Sequence, residues 1–447
     1  MTVWEIFGEI TFVCAFLYFF IFAVVSLLEK ERRAAVRSFF MAYLIAAFNA
    51  LFFFISLPLR EWFYAGVFGL SVFVITFVFF SVKPKHSLQI VGTLKKIDER
   101  DVIFARFDLK KNSLHYIEYY NQHPENKSKD EKTRKLPDIL SPLHMKKHPV
   151  HYKLASAEFE FLEEQLEHVD GEVHSIKSEN SPKENTDSIK NLIRYLGADI
   201  CGVCELDQAF VYSHVGRGPE PYGSEIVLKH AYAVVFAIEM DQKMIAAAPQ
   251  PPVIIETAKK YVEAAKISII AARYIRKMGF SARAHIAGSN YQAMLPPLGW
   301  KAGLGELGRF GMLITWEFGA RMRLGMLTTD IPLIPDQPFT RGIQDFCEIC
   351  KKCAENCPSQ AIPHSGKTVE NGVMKWVLKR EECYRYWRKA GTDCAVCISV
   401  CPYSKPNNGF HRFIRYSTTW SHGAQSIALW GDDFFYGRKP RPKSPPF

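Results

Sequence analysis

At 447 residues the chain is long enough for several structural regions, and its net charge of +10 comes without any basic cluster tied to an RNA- or DNA-binding motif, which argues against nucleic acid as a partner. Hydrophobic residues make up 48% of it and crowd toward the N-terminus. Eight of the eleven cysteines fall in two short runs, a pattern foreign to the disulfide frameworks of small secreted domains.

Residues 1–85 read as a membrane anchor with spans at about 10–28, 38–57 and 62–82. Nineteen helical residues cover roughly 28 Å, about one hydrocarbon core. Three such runs argue against a cleaved signal peptide, and Trp4, Trp62 and Tyr64 suit an interfacial aromatic belt. The loop after the first span carries Lys30, Arg32, Arg33 and Arg37, and Lys83 and Lys85 follow the third, whereas the second loop has only Arg60. The positive-inside rule then puts the N-terminus outside and the soluble chain on the cytoplasmic face of the inner membrane. Arg32-Arg33 stands behind a full span, which argues against a twin-arginine export signal.

Residues 86–186 form an N-terminal soluble region, with polar, loop-like stretches at 121–137 and 175–187, the second a linker into the core. From 187 to 340 helices and strands alternate. Residues 189–196 predict a helix, 198–204 a strand, 231–238 a buried strand, 254–278 a helix ending at Gly279, and 312–315 and 323–327 further strands. This is an α+β pattern, a sandwich of helices on a sheet. Cys201 and Cys204 fit the alternation of a buried strand, and Cys14 a core or lipid-facing position.

Residues 341–405 hold Cys347-x2-Cys350-x2-Cys353-x3-Cys357-Pro358, then Cys383, ten residues, and Cys394-x2-Cys397-x3-Cys401-Pro402. Paired runs of this form predict two [4Fe–4S] clusters, since x2 spacings let one loop supply three thiolates to a cubane. In bacterial two-cluster ferredoxins the cysteine before the proline crosses to the other cluster. One cluster would then take Cys347, Cys350, Cys353 and Cys401, and the other Cys383, Cys394, Cys397 and Cys357. Structural zinc prefers simple CxxC pairs. A tail rich in Trp and Tyr, 406–447, is expected to pack on the catalytic domain.

Several stretches together resemble the reductive dehalogenases: Phe104-Ala-Arg, Glu118-Tyr-Tyr with His123-Pro, Leu196-Gly-Ala-Asp, Phe236-Ala-Ile-Glu-Met-Asp, Ala302-Gly-Leu-Gly-Glu-Leu-Gly-Arg, Leu313-Ile-Thr, Arg323-Leu, Thr329-Asp, the cysteine block and Asp432-Asp-Phe-Phe-Tyr-Gly. The resemblance covers roughly 95–447. It implies a nitroreductase-like α/β sandwich holding base-off cobalamin, and a reaction that replaces carbon–halogen by carbon–hydrogen on an organohalide, with Co(I) fed by both clusters. Carried over by motif, Tyr261 is the proton donor and Asn290 and Arg323 flank it, with Ser289 the nearest substitute for Asn290. A phenol can donate the proton, and a neighbouring cation favours its ionised form. Gly303, Gly305 and Gly308 would let backbone approach the macrocycle, or else serve an ordinary tight turn. Trp420 and Trp430 would contribute to an aromatic pocket.

The family also implies an electron donor: a ferredoxin, a flavoprotein or a membrane quinol. Membrane lipid is the other expected partner, and a homodimer stays open. Two alternatives remain. One is a corrinoid reductase of a non-halogenated substrate, like the epoxyqueuosine reductases, which are soluble. The other is a cluster-only membrane electron-transfer protein.

Overall fold

The computed structural model describes residues 2–52, 54, 57–84, 87–287 and 291–443. The chain divides into two compact units, Met1–His86 with Pro406–Lys439, and Ser87–Lys405 with Pro440–Phe447.

The first unit is built on helices Val3–Leu28, Arg32–Phe52 and Leu57–Phe80. All three are long and apolar enough to cross a membrane, and they leave most of that apolar surface exposed, with only 17%, 22% and 6% of their central windows buried. Such a surface suits a surrounding of hydrocarbon better than water. The first and third helices start earlier than the hydropathy runs suggest, because polar residues at that end satisfy one another. A capping box joins Thr2 and Glu5. Arg60 pairs with Glu5, and Glu9 accepts hydrogen bonds from Asn49 Nδ2 and from the Tyr64 hydroxyl, each at 2.9 Å. Gly8 lets the Tyr64 ring close in, since a Cβ there would stand 2.0 Å from it.

Two C-terminal helices, Gly409–Ser417 and His422–Phe435, complete this unit. They are capped by Asn408 and Ser421, whose side chains accept from the His411 and Ala424 amides. The tail expected on the catalytic domain therefore divides: 406–439 belongs with the N-terminal helices, and only 440–447 with the soluble unit. Trp420 stacks on Phe79 and Trp430 on Phe434, both within the first unit.

In the second unit, residues expected as three successive regions form one body. Its core is an antiparallel sheet with strands in the spatial order Ile200–Glu205, Tyr232–Glu239, Met322–Thr329, Ala282–His285. Strand alternation sends Val234, Phe236 and Ile238 to one face, against Ala264, Ile267 and Ala271 of the long helix Pro252–Lys277. Ala233, Val235 and Ala237 face the other way, onto Leu298, Leu313 and Met326. Gly325 lies opposite Phe236, where any Cβ would come within 2.3 Å of its ring.

The stretch 121–137, read as loop, is mostly the helix Pro124–Arg134. It has no apolar stripe to reveal it, yet Pro124 occupies its first turn and helix-favouring Lys and Glu fill much of it. It is held by Asp130, 1% exposed, which takes Arg106 Nη2 at 3.0 Å and the Tyr120 hydroxyl at 2.9 Å.

Candidate active site and cysteine module

Thr257 and Tyr261 stand one helical turn apart on Pro252–Lys277 and so share a face. Arg323 lies two residues from Gly325 and four from Leu327, on the side of the sheet that packs under that helix. The two periodicities bring these residues together. The Arg323 guanidinium carbon sits 5.3 Å from the Tyr261 ring centroid, a cation–π placement. Its Nη2 donates to Thr257 Oγ1 at 2.7 Å and to Asp393 Oδ2 at 2.6 Å, and Thr257 Oγ1 donates to the same carboxylate oxygen at 2.6 Å. The pair is buried, with side-chain exposures of 13% for Arg323 and 5% for Asp393. Burial alone would lower the Arg323 pKa, but the Tyr261 phenol and the Asp393 carboxyl outweigh it and hold the guanidinium above its usual value. Burial pulls the Asp393 carboxyl up, and Arg323 draws it part of the way back.

Tyr291 joins this group. Its hydroxyl is pushed far above the ordinary phenol range, first by burial and then by Tyr261. Asn290 and Ser289, expected beside Tyr261, lie outside the described residues. Sequence reading missed Thr257, Tyr291 and Asp393. The available signal was position: Thr257 is a turn from Tyr261, and Asp393 directly precedes Cys394.

The glycine motif is closely packed by the chain around it. Gly305 faces the Ile314 carbonyl, 2.2 Å from where a Cβ would be, and Gly308 faces the Ile314 side chain at 2.5 Å. Gly303 has φ +72° and lies against the Gln337 carbonyl. The chain itself thus stands where a side chain would lie at each of the three, and Gly305 opens the hairpin of Gly305–Leu307 with Leu313–Thr315. Two charged residues of the motif, Glu306 and Arg309, tie the hairpin to the cysteine module. Glu306, 1% exposed, accepts from the amides of Arg341 at 2.7 Å and Ile343 at 3.3 Å, the latter opening helix Ile343–Cys350. Arg309, also 1% exposed, donates to the carbonyls of Cys347 at 3.0 Å, Pro363 at 3.0 Å and Ser365 at 2.9 Å.

Eight cysteines gather in two sets. Cys347, Cys350, Cys353 and Cys401 line one cavity with Phe310 and Tyr403. Cys357, Cys383, Cys394 and Cys397 form the second: the Cys397 thiol is driven up by burial and then by Cys383, Cys394 and Cys357. Left-handed Lys351, Cys394 and Ala395 make the tight reversals that x2 spacings require. Burial and neighbouring thiols push Cys347 and Cys383 up to about 12 and Cys394 to about 11. Such thiols surrender their protons only to a strongly positive group, which is what an iron–sulfur core supplies. Four thiols in runs of x2 and x3 spacing, each run ending in Cys-Pro, suit a cubane cluster better than structural zinc.

The Arg323 Nε is buried without a hydrogen-bond partner beside Tyr261, leaving a donor that a bound group or substrate could satisfy. In this respect the site fits the corrinoid that the resemblance implies.

Cys201 and Cys204 lie on strand Ile200–Glu205, their sulfurs near the carbonyls of Lys190 and Leu298, and burial pushes the Cys204 thiol up to about 12. Both are packing residues, as the alternation predicts.

Residues 346–405 match the 4Fe-4S dicluster domain family. The tetrachloroethene reductive dehalogenase of Sulfurospirillum multivorans is 31% identical over 293 residues, which are 58% of this chain and 58% of that one. That of Dehalobacter restrictus is 32% identical over 295 residues, 56% of this chain and 51% of the relative. The chain thus spans a little over half the length of these relatives. The solved structure of the catabolic reductive dehalogenase NpRdhA, in complex with 3-bromo-4-hydroxybenzoic acid, shares the fold: TM-score 0.64, 23% identity, 79% of this chain and 48% of that chain. Over a little more than half its length the chain is similar to the reductive dehalogenases, and it also carries the 4Fe-4S dicluster match and three N-terminal helices long and apolar enough to cross a membrane.

Proposed function

We propose that the protein is a membrane-anchored, cobalamin-dependent reductive dehalogenase, performing R–X + 2e⁻ + H⁺ → R–H + X⁻ on an organohalide, a halogenated aromatic being the favoured class. The observation that carries this reading is the buried linkage Tyr261–Arg323–Asp393, which ends beside Cys394. When bound, two [4Fe–4S] clusters would deliver electrons singly, and the base-off corrinoid would provide the reducing cobalt. Cys347, Cys350, Cys353 and Cys401 would hold one cluster, and Cys357, Cys383, Cys394 and Cys397 the other.

Tyr261 would hold the proton on its hydroxyl and deliver it to carbon. Arg323, fixed by Thr257 and Asp393, would keep the ring in place and stabilise the phenolate left behind, by the attraction of a fixed cation in a site with little water. Asn290 would complete the trio. The sandwich around this site would be nitroreductase-like. Electrons would come from a separate ferredoxin, flavoprotein or membrane quinol. The basic loop Lys30–Arg37 and Lys83 support a soluble unit on the cytoplasmic side of the inner membrane.

The test is direct. Full-length protein loaded with cobalamin is given a low-potential donor and a panel of halophenols, and halide release is measured with the corrinoid spectrum. Halide released in proportion to dehalogenated product supports the reading. Protein that carries clusters and binds no corrinoid would overturn it in favour of an electron-transfer role. Loaded enzyme that is inert on the whole panel would point to a non-halogenated substrate.

A further inference from the structure

The two C-terminal helices run beside the last turns of two spans. Phe410 stacks on Phe22, with ring centroids 4.5 Å apart and 9° between the planes, and Phe435 meets the same ring edge-on at 4.8 Å. Phe22 lies six residues before the end of helix Val3–Leu28, roughly 9 Å along its axis. His411 Nε2 lies 3.1 Å from Glu29, and Asn408 donates to the same carboxylate. At the third span, Trp420 stacks on Phe79 at 4.8 Å, the His422 amide donates to the Val82 carbonyl at 2.9 Å, and the Gly423 amide donates to Ser81 Oγ at 2.8 Å. Arg37, at the start of the second span, reaches the Phe434 carbonyl and lies over its ring at 4.9 Å.

A segment docked at this depth still leaves large apolar side chains outward: Trp430 is 63% exposed, Tyr416 58%, Phe413 52% and Ile427 40%. In water such a group would be an aggregation patch. Here it continues the apolar surface of the spans, and the residue types are those that settle at the headgroup level. Exposed Lys30, Arg32, Arg412 and Lys439 in the same unit provide charge for anionic lipid.

We propose that helices Gly409–Ser417 and His422–Phe435 lie in the plane of the membrane interface, with Phe413, Tyr416, Ile427 and Trp430 inserted at the boundary between headgroups and acyl chains of an anionic bilayer. This goes beyond the anchor reading and rests on it. The tail becomes a fourth membrane contact, lying on the bilayer instead of crossing it, and the stretch Ser87–Lys405 is then flanked in sequence by membrane-bound segments on both sides.

Full-length protein in phosphatidylcholine–phosphatidylglycerol vesicles is photolabelled by either of two diazirine phosphatidylcholines, one carrying the group near the glycerol and one near the acyl terminus, and adducts are mapped by mass spectrometry. Peptides from 409–435 should carry several-fold more adduct with the shallow probe than with the deep one, while peptides within 3–80 take the deep probe. Labelled spans with no adducts on 409–435 would overturn the interfacial helices and leave the anchor standing. Absence of deep labelling on 3–80 would overturn both.

Discussion

Arg323 and Asp393 form a buried ion pair, Nη2 to Oδ2 at 2.6 Å, between a strand of the central sheet and the loop that presents Cys394. Seventy residues apart in sequence, they make one object of two regions whose chemistry differs. The sheet and its long helix place a phenol and a cation, and the cysteine loop supplies the counter-charge. Any change at Asp393 should therefore be felt at Tyr261.

Asp393→Ala strands a buried guanidinium, and breaking such a pair costs about 3–5 kcal/mol. Thermal unfolding of the full-length protein should show a clear drop in Tm. Asp393→Asn keeps the shape and removes the charge, so it should fold better than the alanine variant and still lose dehalogenation. An alanine variant as stable as the parent would mean that the pair is not formed.

Tyr261→Phe removes only a hydroxyl from a half-buried ring and leaves the face that Arg323 covers. If Tyr261 is the proton donor, kcat for halide release should fall by about 10²–10⁴-fold, the usual worth of a positioned acid. Cluster content, corrinoid content and Tm should stay close to the parent's. Full activity in this variant would remove Tyr261 from the chemistry.

What the sequence revealed follows physical range. The cysteine sets were legible because ligand spacing is local, and the strands 231–238 and 323–327 because burial on a sheet imposes runs and alternation. The long helix was legible for the same reason. Asp393 and Thr257 were not, because their role depends on a meeting of strand, helix and loop that no window of sequence contains. Helix Pro124–Arg134 escaped because its anchor is the buried Asp130, not an apolar stripe. The seat of the tail was not legible for a related reason: Phe410 and Phe435 would suit any apolar surface, and only the fold shows that Phe22 meets them.

A buried hydrogen-bond chain beneath the sheet predicts acid sensitivity. His285 Nε2 lies 2.9 Å from Thr328 Oγ1, which lies 2.8 Å from His230 Nδ1, and His230 Nε2 lies 2.8 Å from Ser281 Oγ. Burial first, then Arg283 and His230, press the His285 pKa well below its usual value; burial lowers that of His230 against a small opposing pull from Asp330. A histidine held neutral in the fold binds its proton more readily when unfolded, so acid favours unfolding. Stability should be flat above about pH 6.5 and decline below it as the unfolded state takes up protons. Tm measured from pH 7.5 to 5.5 should fall, and His285→Gln, though less stable at pH 7.5, should fall less steeply. Equal slopes in the two proteins would clear His285 of the effect.

The pairing of cysteines across the two runs can be read from which lesions look alike. If Cys401 shares a cluster with Cys347, Cys350 and Cys353, then Cys401→Ser and Cys347→Ser should alter the same electron paramagnetic resonance signal and spare the other. Cys357→Ser should likewise resemble Cys383→Ser and Cys394→Ser. Were each run to hold its own cluster, Cys401→Ser would instead match Cys394→Ser. The grouping favours the crossed arrangement: Cys401 lines the cavity of the first run, while Cys357 raises the thiols of the second. Asp393 directly precedes Cys394, so if Cys394 and Cys357 hold one cluster, Cys357→Ser and Cys394→Ser should both lower Tyr261-dependent halide release along with the second signal. Variants of the second set that lost their signal yet kept the parent's rate would separate that cluster from the electron path.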